Sequence, residues 1–302
     1  MPSPRSIRPS CSQPLPNPPS SVSVTAASAG GSQSPGDLIS CSGLPASEAR
    51  ILLAHVTGWS RTELITAPQV PLPEAQKAAF ATLAARRRAG EPIAYLVGAR
   101  EFYGRRFKVS PAVLIPRPET ELLVDEGLAA LGALSAPRVL DLGTGSGAIA
   151  VTVALERPDA HVTAADLSPA ALEIARHNGR VQGARIDWVE SDWYAALGAR
   201  RFHLVLANPP YVAADDPHLN QGDVRFEPRG ALTDGGGGLG ALRTVIQGAP
   251  AHLEPAGMLL VEHGYDQAEA VRAAFAAAGF LGVRSVSDLA GIERVTRGVL
   301  PG

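Results

Sequence analysis

From Arg138 to the C-terminus, short apolar runs alternate with amphipathic stretches of helical period. The runs Val139–Leu142, His161–Asp166, Ile186–Glu190, His203–Ala207 and Met258–Glu262 read as strands. Two more, Val283–Ser287 and Arg294–Val299, are separated by a turn containing Gly291. This alternation predicts an α/β fold: a mostly parallel sheet covered by helices, with an antiparallel pair at its C-terminal end. Such sheets bind ligands at the carboxyl ends of their strands.

Upstream, from about Leu38 to Gly98, the pattern is purely helical. Ser47 is placed to cap a helix carrying Ile51, Leu52, Leu53 and Val56, and Pro73-Glu74 opens another that runs to Arg88 before Gly90 ends it. Ala79, Phe80, Leu83 and Ala84 mark one buried face of a small bundle. Arg86-Arg87-Arg88 falls in the last helical turn and reads as a solvated end that complements the helix dipole, or as a contact for an acidic partner. Between Arg100 and Ile115, apolar residues broken by Gly104 and Ser110-Pro111 suggest a short hairpin. Pro116-Arg117-Pro118 forces an extended crossing, and Thr120 begins a helix reaching roughly Leu134. The expected organisation is a disordered extension over 1–36, a helical-bundle domain over 37–99, a β-hairpin linker over 100–117 and an α/β domain over 118–302.

At 302 residues and 45% hydrophobic, the chain is long enough to bury a core in two modest domains. A net charge of −2 argues against binding nucleic acid through bulk electrostatics and favours a protein or small-molecule substrate. The two cysteines, Cys11 and Cys41, lack metal-ligand spacing, so no metal is expected and a reducing compartment, the cytoplasm, is. With no run of about 18 apolar residues, no membrane span is expected. Residues 1–36 hold 18 Ser or Pro and two charges, Arg5 and Arg8, too little apolar surface to offset ordering entropy. That segment reads as a dispensable tail, a misassigned start or, less well because it shows no amphipathic helix, a transit peptide. The 25 arginines against 2 lysines suit a GC-rich bacterial genome better than an organelle protein.

The first candidate site follows the strand Val139–Leu142, where Gly143-Thr144-Gly145-Ser146-Gly147 leads into a helix. Glycines there let the backbone approach a ligand closely, and Asp166, 25 residues after Asp141 and at the end of the next strand, can accept both hydroxyls of a ribose. Alone, the loop is ambiguous, since Gly143, Gly145 and Ala148 also satisfy a variant of the NAD fingerprint. Asp141 tilts the choice, because a carboxylate would repel a pyrophosphate yet attract the cationic amino acid moiety of S-adenosylmethionine. Asp192 and Trp193 follow the third strand at the same edge, where the acid can accept from an adenine amino group while the indole packs on its ring.

The second is Asn208-Pro209-Pro210-Tyr211, directly after Leu204–Ala207. Two adjacent prolines lack N–H groups and fix φ near −65°, leaving an acceptor-rich, donor-poor turn suited to a planar NH2 group. Tyr211 offers a flat apolar face for an amide or a base. The scattered His177, His203 and His263 suggest structural roles, and no G-x-S-x-G elbow surrounds Ser146.

Together these motifs resemble class I S-adenosylmethionine-dependent methyltransferases acting on amino or amide nitrogen. Gly90-Glu91-Pro92-Ile93-Ala94-Tyr95-Leu96-Val97-Gly98, Glu101-Phe102-Tyr103-Gly104 and Ile115-Pro116-Arg117-Pro118-Glu119-Thr120-Glu121 narrow the resemblance to the HemK/PrmC family, the peptide chain release factor glutamine methyltransferases. The similarity runs from about residue 45 to the C-terminus. It implies a helical substrate-recognition domain, a hairpin linker and a Rossmann-like domain that uses S-adenosyl-L-methionine to methylate the glutamine of a Gly-Gly-Gln motif in class 1 release factors. A monomer with no direct nucleic-acid contact is expected. By matching positions, Gly143 to Gly147, Asp166, Trp193 and Asn208 would contact the cofactor, while Asn208, Pro209, Pro210 and Tyr211 would hold the glutamine, with Asn208, Pro209 and Tyr211 catalytic. Residues 1–36 have no counterpart in the family, and Gly235–Gly238 is glycine-heavy for it. Three rivals remain at this stage: a ribosomal-protein glutamine methyltransferase, a DNA adenine methyltransferase, and a cofactor-binding regulator without catalysis. Pro116-Arg117-Pro118-Glu119 favours the release-factor branch, and neither a basic face nor a target-recognition domain supports the DNA reading.

Overall fold

The computed structural model describes residues 34–66 and 69–302. Most of the segment expected to be disordered lies outside the described residues, but its last residues are helical. Ser34 accepts from the Asp37 N–H while the Asp37 carboxylate accepts from the Ser34 N–H, and Pro35 occupies the first turn. This reciprocal cap starts α1 (Pro35–Cys41).

Helices α2 (Ala46–Thr57), α3 (Arg61–Thr66), α4 (Glu74–Arg88) and α5 (Ile93–Val97) follow. Ser47 is not the cap of α2; Pro45 holds that position in an extended conformation without a side-chain bond, and Ser47 lies in the first turn. Leu52, Leu53, Leu64, Phe80, Ala84 and Leu96 form the core of this region. Ile51 and Ala79, expected inside, face out because they lie beyond the arc that meets the neighbouring helices. Of the three arginines ending α4, Arg86 and Arg88 are exposed, as a solvated helix end requires, and only Arg87 is half-buried. Arg87 grips Glu48 through two bonds of 2.8 Å and reaches Asp223 at 2.6 Å, and Arg88 donates to the Ser42 carbonyl. Arg86 pairs with Glu91, and the acidic partners of Arg87 belong to the chain itself, so that Arg87 ties the helices to the loop before the second half of the sheet.

Strands β1 (Ala99–Phe102) and β2 (Arg105–Lys108) pair antiparallel. Tyr103 and Gly104 both take positive φ, 52° and 68°, the backbone a tight two-residue hairpin turn requires. Phe102 and Phe107 are buried edge to face, so the hairpin contributes to the main core. A 3-10 turn, Pro118–Thr120, leads into α6 (Glu121–Leu131). The helix stops three residues short of the expected Leu134 because Gly132 adopts φ 45° and ψ −125°.

The rest is β3 (Arg138–Leu142), α7 (Ala148–Glu156), β4 (His161–Asp166), α8 (Pro169–Gln182), β5 (Ile186–Glu190), β6 (Phe202–Ala207), α9 (Gly240–His252), β7 (Leu253–Glu262), α10 (Ala268–Ala277), β8 (Leu281–Ser287) and β9 (Glu293–Val299). Seven strands form one sheet in the order β5-β4-β3-β6-β7-β9-β8. The first five are mutually parallel, and β8 and β9 add antiparallel at the end, as the apolar spacing predicts. Strand β7 begins five residues earlier than expected; Pro255 and a positive φ at Ala256 mask the alternation in its first half.

Both faces are covered, with period two deciding which residue meets which layer. Val139, Leu204, Leu206 and Leu260 pack with Leu123, Val124 and Ile149, while Leu140, Leu142, Val205 and Val261 pack with Leu242, Ile246 and Phe275. Gly127 lets α6 lie against the sheet, since a Cβ there would stand 3.0 Å from Leu206. Strand order reverses at β3, between β4 and β6, which opens a crevice above their carboxyl ends.

Candidate active site

The glycine loop after β3 is drawn onto the end of β4. Gly143 and Thr144 donate to the Ala165 carbonyl at 2.9 and 3.0 Å, and Gly145 donates to Asp166 Oδ2 at 2.8 Å. The other Asp166 oxygen accepts from the Ser168 N–H at 2.9 Å, and the Ser168 side chain caps α8. Burial raises the Asp166 pKa while these two N–H bonds lower it.

Asp141 lies beneath the loop, not in the wall of the site. Its Oδ2 accepts from Thr144 Oγ1 at 2.6 Å and from the Ala150 N–H at 3.2 Å, so it braces the loop against the start of α7. Oδ1 has no partner among the described residues, and burial pushes this carboxyl up to about 7. Unfolded aspartate titrates near 4, so between about pH 4 and 7 the unfolded chain releases a proton that the folded chain keeps, and stability is lost as pH rises. Asp141→Asn removes that titration. Its stability relative to the unsubstituted protein is expected to rise by roughly 1–3 kcal/mol between about pH 5 and 8, read by denaturant unfolding at both values.

Between this loop, the hairpin linker and the end of β6 lies a cavity of about 330 Å³. Gly143, Thr144, Gly145, Ser146, Asp166, Asp192, Trp193, Asn208 and Pro210 all line it. These nine come from separate strand ends that the sheet order brings together. Trp193 holds φ 47°, a conformation costly for a bulky residue, and thereby sets its ring near Gly143.

Four expected site residues do not line the cavity. Besides Asp141, Gly147 serves packing: a Cβ on it would stand 3.1 Å from the Ala175 Cβ, so its role is to seat α7 against α8. Pro209 is buried and is not part of the cavity lining. Tyr211 turns its ring into the core beneath the sheet edge and donates its hydroxyl to Glu262 Oε1 at 3.2 Å, because that buried carboxylate needs a donor. The flat face expected for a planar substrate is therefore not the tyrosine ring.

Other residues at the site were not singled out from sequence. Asn208 Nδ2 donates to Thr120 Oγ1 at 3.1 Å, and Thr120 lines the same cavity. Glu262, at the carboxyl end of β7, is buried and its carboxyl is pushed up to about 7 by desolvation. An acid closing the apolar run Leu259–Val261 was the signal for it. Asn178 bonds the Lys108 N–H, the Lys108 carbonyl and the Ser146 carbonyl, locking hairpin to glycine loop. Arg117 lines the cavity and pairs with buried Glu227, which also accepts from the Ile115 N–H at 3.0 Å.

The glycine-rich segment after Thr233 is ordered around one carboxylate. Asp234 accepts from the N–H groups of Gly236, Gly238, Gly240 and Ala241, which holds its pKa below the usual range. Gln267 then donates to the carbonyls of both Tyr211 and Gly238, clamping this segment on the proline turn. Gly238 has φ 78°, and a Cβ there would lie 2.3 Å from the Tyr211 carbonyl oxygen. Gly238→Ala is expected to cost about 2 kcal/mol or more and to lower Tm by roughly 4–8 °C in a thermal melt.

A sheet reversing at β3, a glycine loop answered by Asp166 and an Asn-Pro-Pro-Tyr turn on the next strand define a class I S-adenosylmethionine-dependent methyltransferase. Residues 38–98 match the PrmC N-terminal domain family, and residues 119–247 match the methyltransferase small domain family. The release factor glutamine methyltransferase of Burkholderia pseudomallei is 58% identical over 273 residues, covering 88% of this chain and 96% of that protein. Its counterpart in Escherichia coli is 45% identical over 255 residues, covering 84% of this chain and 92% of that one. The chain belongs to the release factor glutamine methyltransferase family. A methyltransferase from Pyrococcus furiosus, 16% identical with a TM-score of 0.50 over 72% of this chain and 98% of that one, shares the fold. No helix among the described residues is long and apolar enough to cross a membrane.

Proposed function

We propose that this enzyme transfers a methyl group from S-adenosyl-L-methionine to the side-chain amide nitrogen of the glutamine in the Gly-Gly-Gln motif of class 1 release factors, as a protein-(glutamine-N5) methyltransferase. The observation that carries the reading is that one cavity wall joins a nucleoside cradle, Gly143–Ser146 with Asp166, to an acceptor turn at Asn208. When bound, the cofactor supplies an electrophilic methyl on a sulfonium. The residues present fit it: Asp166 can accept from ribose hydroxyls, Asp192 from an adenine amine, and the unpartnered Asp141 oxygen offers charge for an ammonium.

An amide nitrogen is a poor nucleophile because its lone pair is delocalised into the carbonyl. In this reading the Asn208 side-chain oxygen and the Pro209 carbonyl accept the two amide hydrogens and turn the lone pair toward the methyl group. Those bonds strengthen as positive charge develops on nitrogen, so they stabilise the transition state more than the bound substrate. Pro210 and Trp193 also border a second, more open cleft lined by Gly230, Gly236 and Gly237. Thr233, Leu239, Arg243 and Thr244 line it as well, and its glycines leave backbone open to an extended strand of substrate. We assign Tyr211 the role of anchoring the turn rather than stacking on the amide. The enzyme is read as a cytoplasmic monomer that acts on protein without contacting nucleic acid, in keeping with its small net charge.

The test is incubation with purified release factor and methyl-labelled cofactor. Label on the release factor supports the reading; label appearing only on DNA or on ribosomal protein defeats it.

A further inference from the structure

We propose that Arg117, held at the cavity wall by the buried Glu227, is the residue that receives the α-carboxylate of S-adenosyl-L-methionine. The inference rests on the cofactor assigned above and is independent of which protein accepts the methyl group. The amino acid end of that cofactor is a zwitterion. Asp166, Asp192 and the unpartnered Asp141 oxygen suit its ribose, adenine and ammonium, which leaves the carboxylate without a partner.

A carboxylate entering this cavity meets a wall that otherwise repels it. The charged residues lining the cavity are Asp166, Asp192 and Arg117, and Asp141 lies beneath the glycine loop. Like charges repel more strongly in a cavity than in water, so the single cation of the lining is what offsets them. Arg117 is also more than the counter-ion of Glu227. Of its five N–H donors one is engaged, on Nη2 with Glu227 Oε1, and Nε and Nη1 have no partner among the described residues. Since Nη2 keeps a second hydrogen, one pair of parallel donors stays free for another carboxylate, a fork that lysine cannot reproduce. The Arg117 side chain is 32% exposed while that of Glu227 is fully buried, so the pair is anchored at one end and open at the other. The second Glu227 oxygen accepts from the Ile115 N–H at 3.0 Å, which fixes the acid from two directions. Glu227 ends the 3-10 turn Val224–Phe226, and Pro228, Gly230 and Ala231 just after it line the cavity, so anchor and wall share one short segment.

The test is calorimetric binding of two molecules to the full-length enzyme: S-adenosyl-L-methionine and its decarboxylated analogue, which keeps adenosine, sulfonium and ammonium and lacks only the carboxylate. The unsubstituted enzyme is expected to bind the first about tenfold or more tightly than the second. Arg117→Met keeps the apolar stem and removes the fork. It is expected to weaken S-adenosyl-L-methionine by about ten- to a hundredfold and the analogue by less than about threefold, with Arg117→Lys in between. Because removing Arg117 leaves a buried acid alone, the double variant Arg117→Met/Glu227→Gln is measured beside it and is expected to show the same selective loss. The proposal is overturned if either methionine variant binds S-adenosyl-L-methionine as the unsubstituted enzyme does, the result of Arg117 gripping the protein substrate instead. It is overturned equally if both molecules weaken alike, the result of Arg117 only holding the wall in place. Should the unsubstituted enzyme bind neither molecule, the cofactor reading falls and the proposal with it. If the carboxylate preference depends on Arg117 as stated yet no release factor is methylated, the substrate reading alone falls and the role of Arg117 stands.

Discussion

Asn208→Ala is expected to lower kcat by about 10²–10³-fold, the loss typical of removing one hydrogen-bonding group aimed at charge developing in a transition state. The protein should remain folded. Asn208 makes one side-chain hydrogen bond, to Thr120, and the apolar run before it, Leu204–Ala207, is buried between two layers that the substitution does not touch. Because Asn208 also borders the nucleoside cradle, cofactor affinity is expected to weaken far less than turnover. Single-turnover kinetics with saturating cofactor, beside calorimetric cofactor binding, separates the two effects. A variant that methylates at the original rate removes the acceptor turn from the chemistry.

Asp166→Ala has the opposite profile, raising the cofactor dissociation constant by roughly a hundredfold. Hydrogen bonds to a charged group are each worth about 1.5–3 kcal/mol, and tenfold in affinity corresponds to about 1.4 kcal/mol. Asp166 works twice: its carboxylate can take ribose hydroxyls, and in the structure it already holds Gly145 at 2.8 Å and Ser168 at 2.9 Å. Losing it therefore slackens the loop as well as the contact. Asp166→Asn, which keeps one acceptor, should fall between. Calorimetry reads both, and unchanged binding by the alanine variant would take Asp166 out of the site.

Most of this architecture was legible in the sequence because the strands of a doubly covered parallel sheet are unusually plain signals. Apolar-rich runs of four to six residues bounded by turn residues mark β3, β4, β5 and β6 within a residue of their observed ends. The site was legible to the extent that it sits on strand ends, since the residue closing each run, Asp166 or Asn208, is placed by the sheet itself. What escaped were pairings between residues far apart in the chain. Nothing local to Arg87 marks Asp223, 136 positions away, as its partner. Nothing local to Asn208 points to Thr120, 88 positions earlier. Tyr211 shows the same limit from the other side. Its neighbours suggested an aromatic wall, and only the buried acid at the end of β7 reveals that its hydroxyl is drawn inward. Asp141 shows it as well: an acid beside glycines reads as a ligand contact, and only the fold shows that the hydroxyl of Thr144 and the N–H of Ala150 take one of its oxygens and leave the other unpartnered.

The joined cradle and acceptor turn predict where the methyl group goes, and tandem mass spectrometry of the release factor after reaction with isotopically labelled cofactor tests that most directly. The expected result is a single added methyl on the side-chain nitrogen of the glutamine in the Gly-Gly-Gln peptide, absent when Asn208→Ala replaces the original enzyme. Label on any other residue, or none on a release factor whose glutamine is free and unmodified, would contradict it.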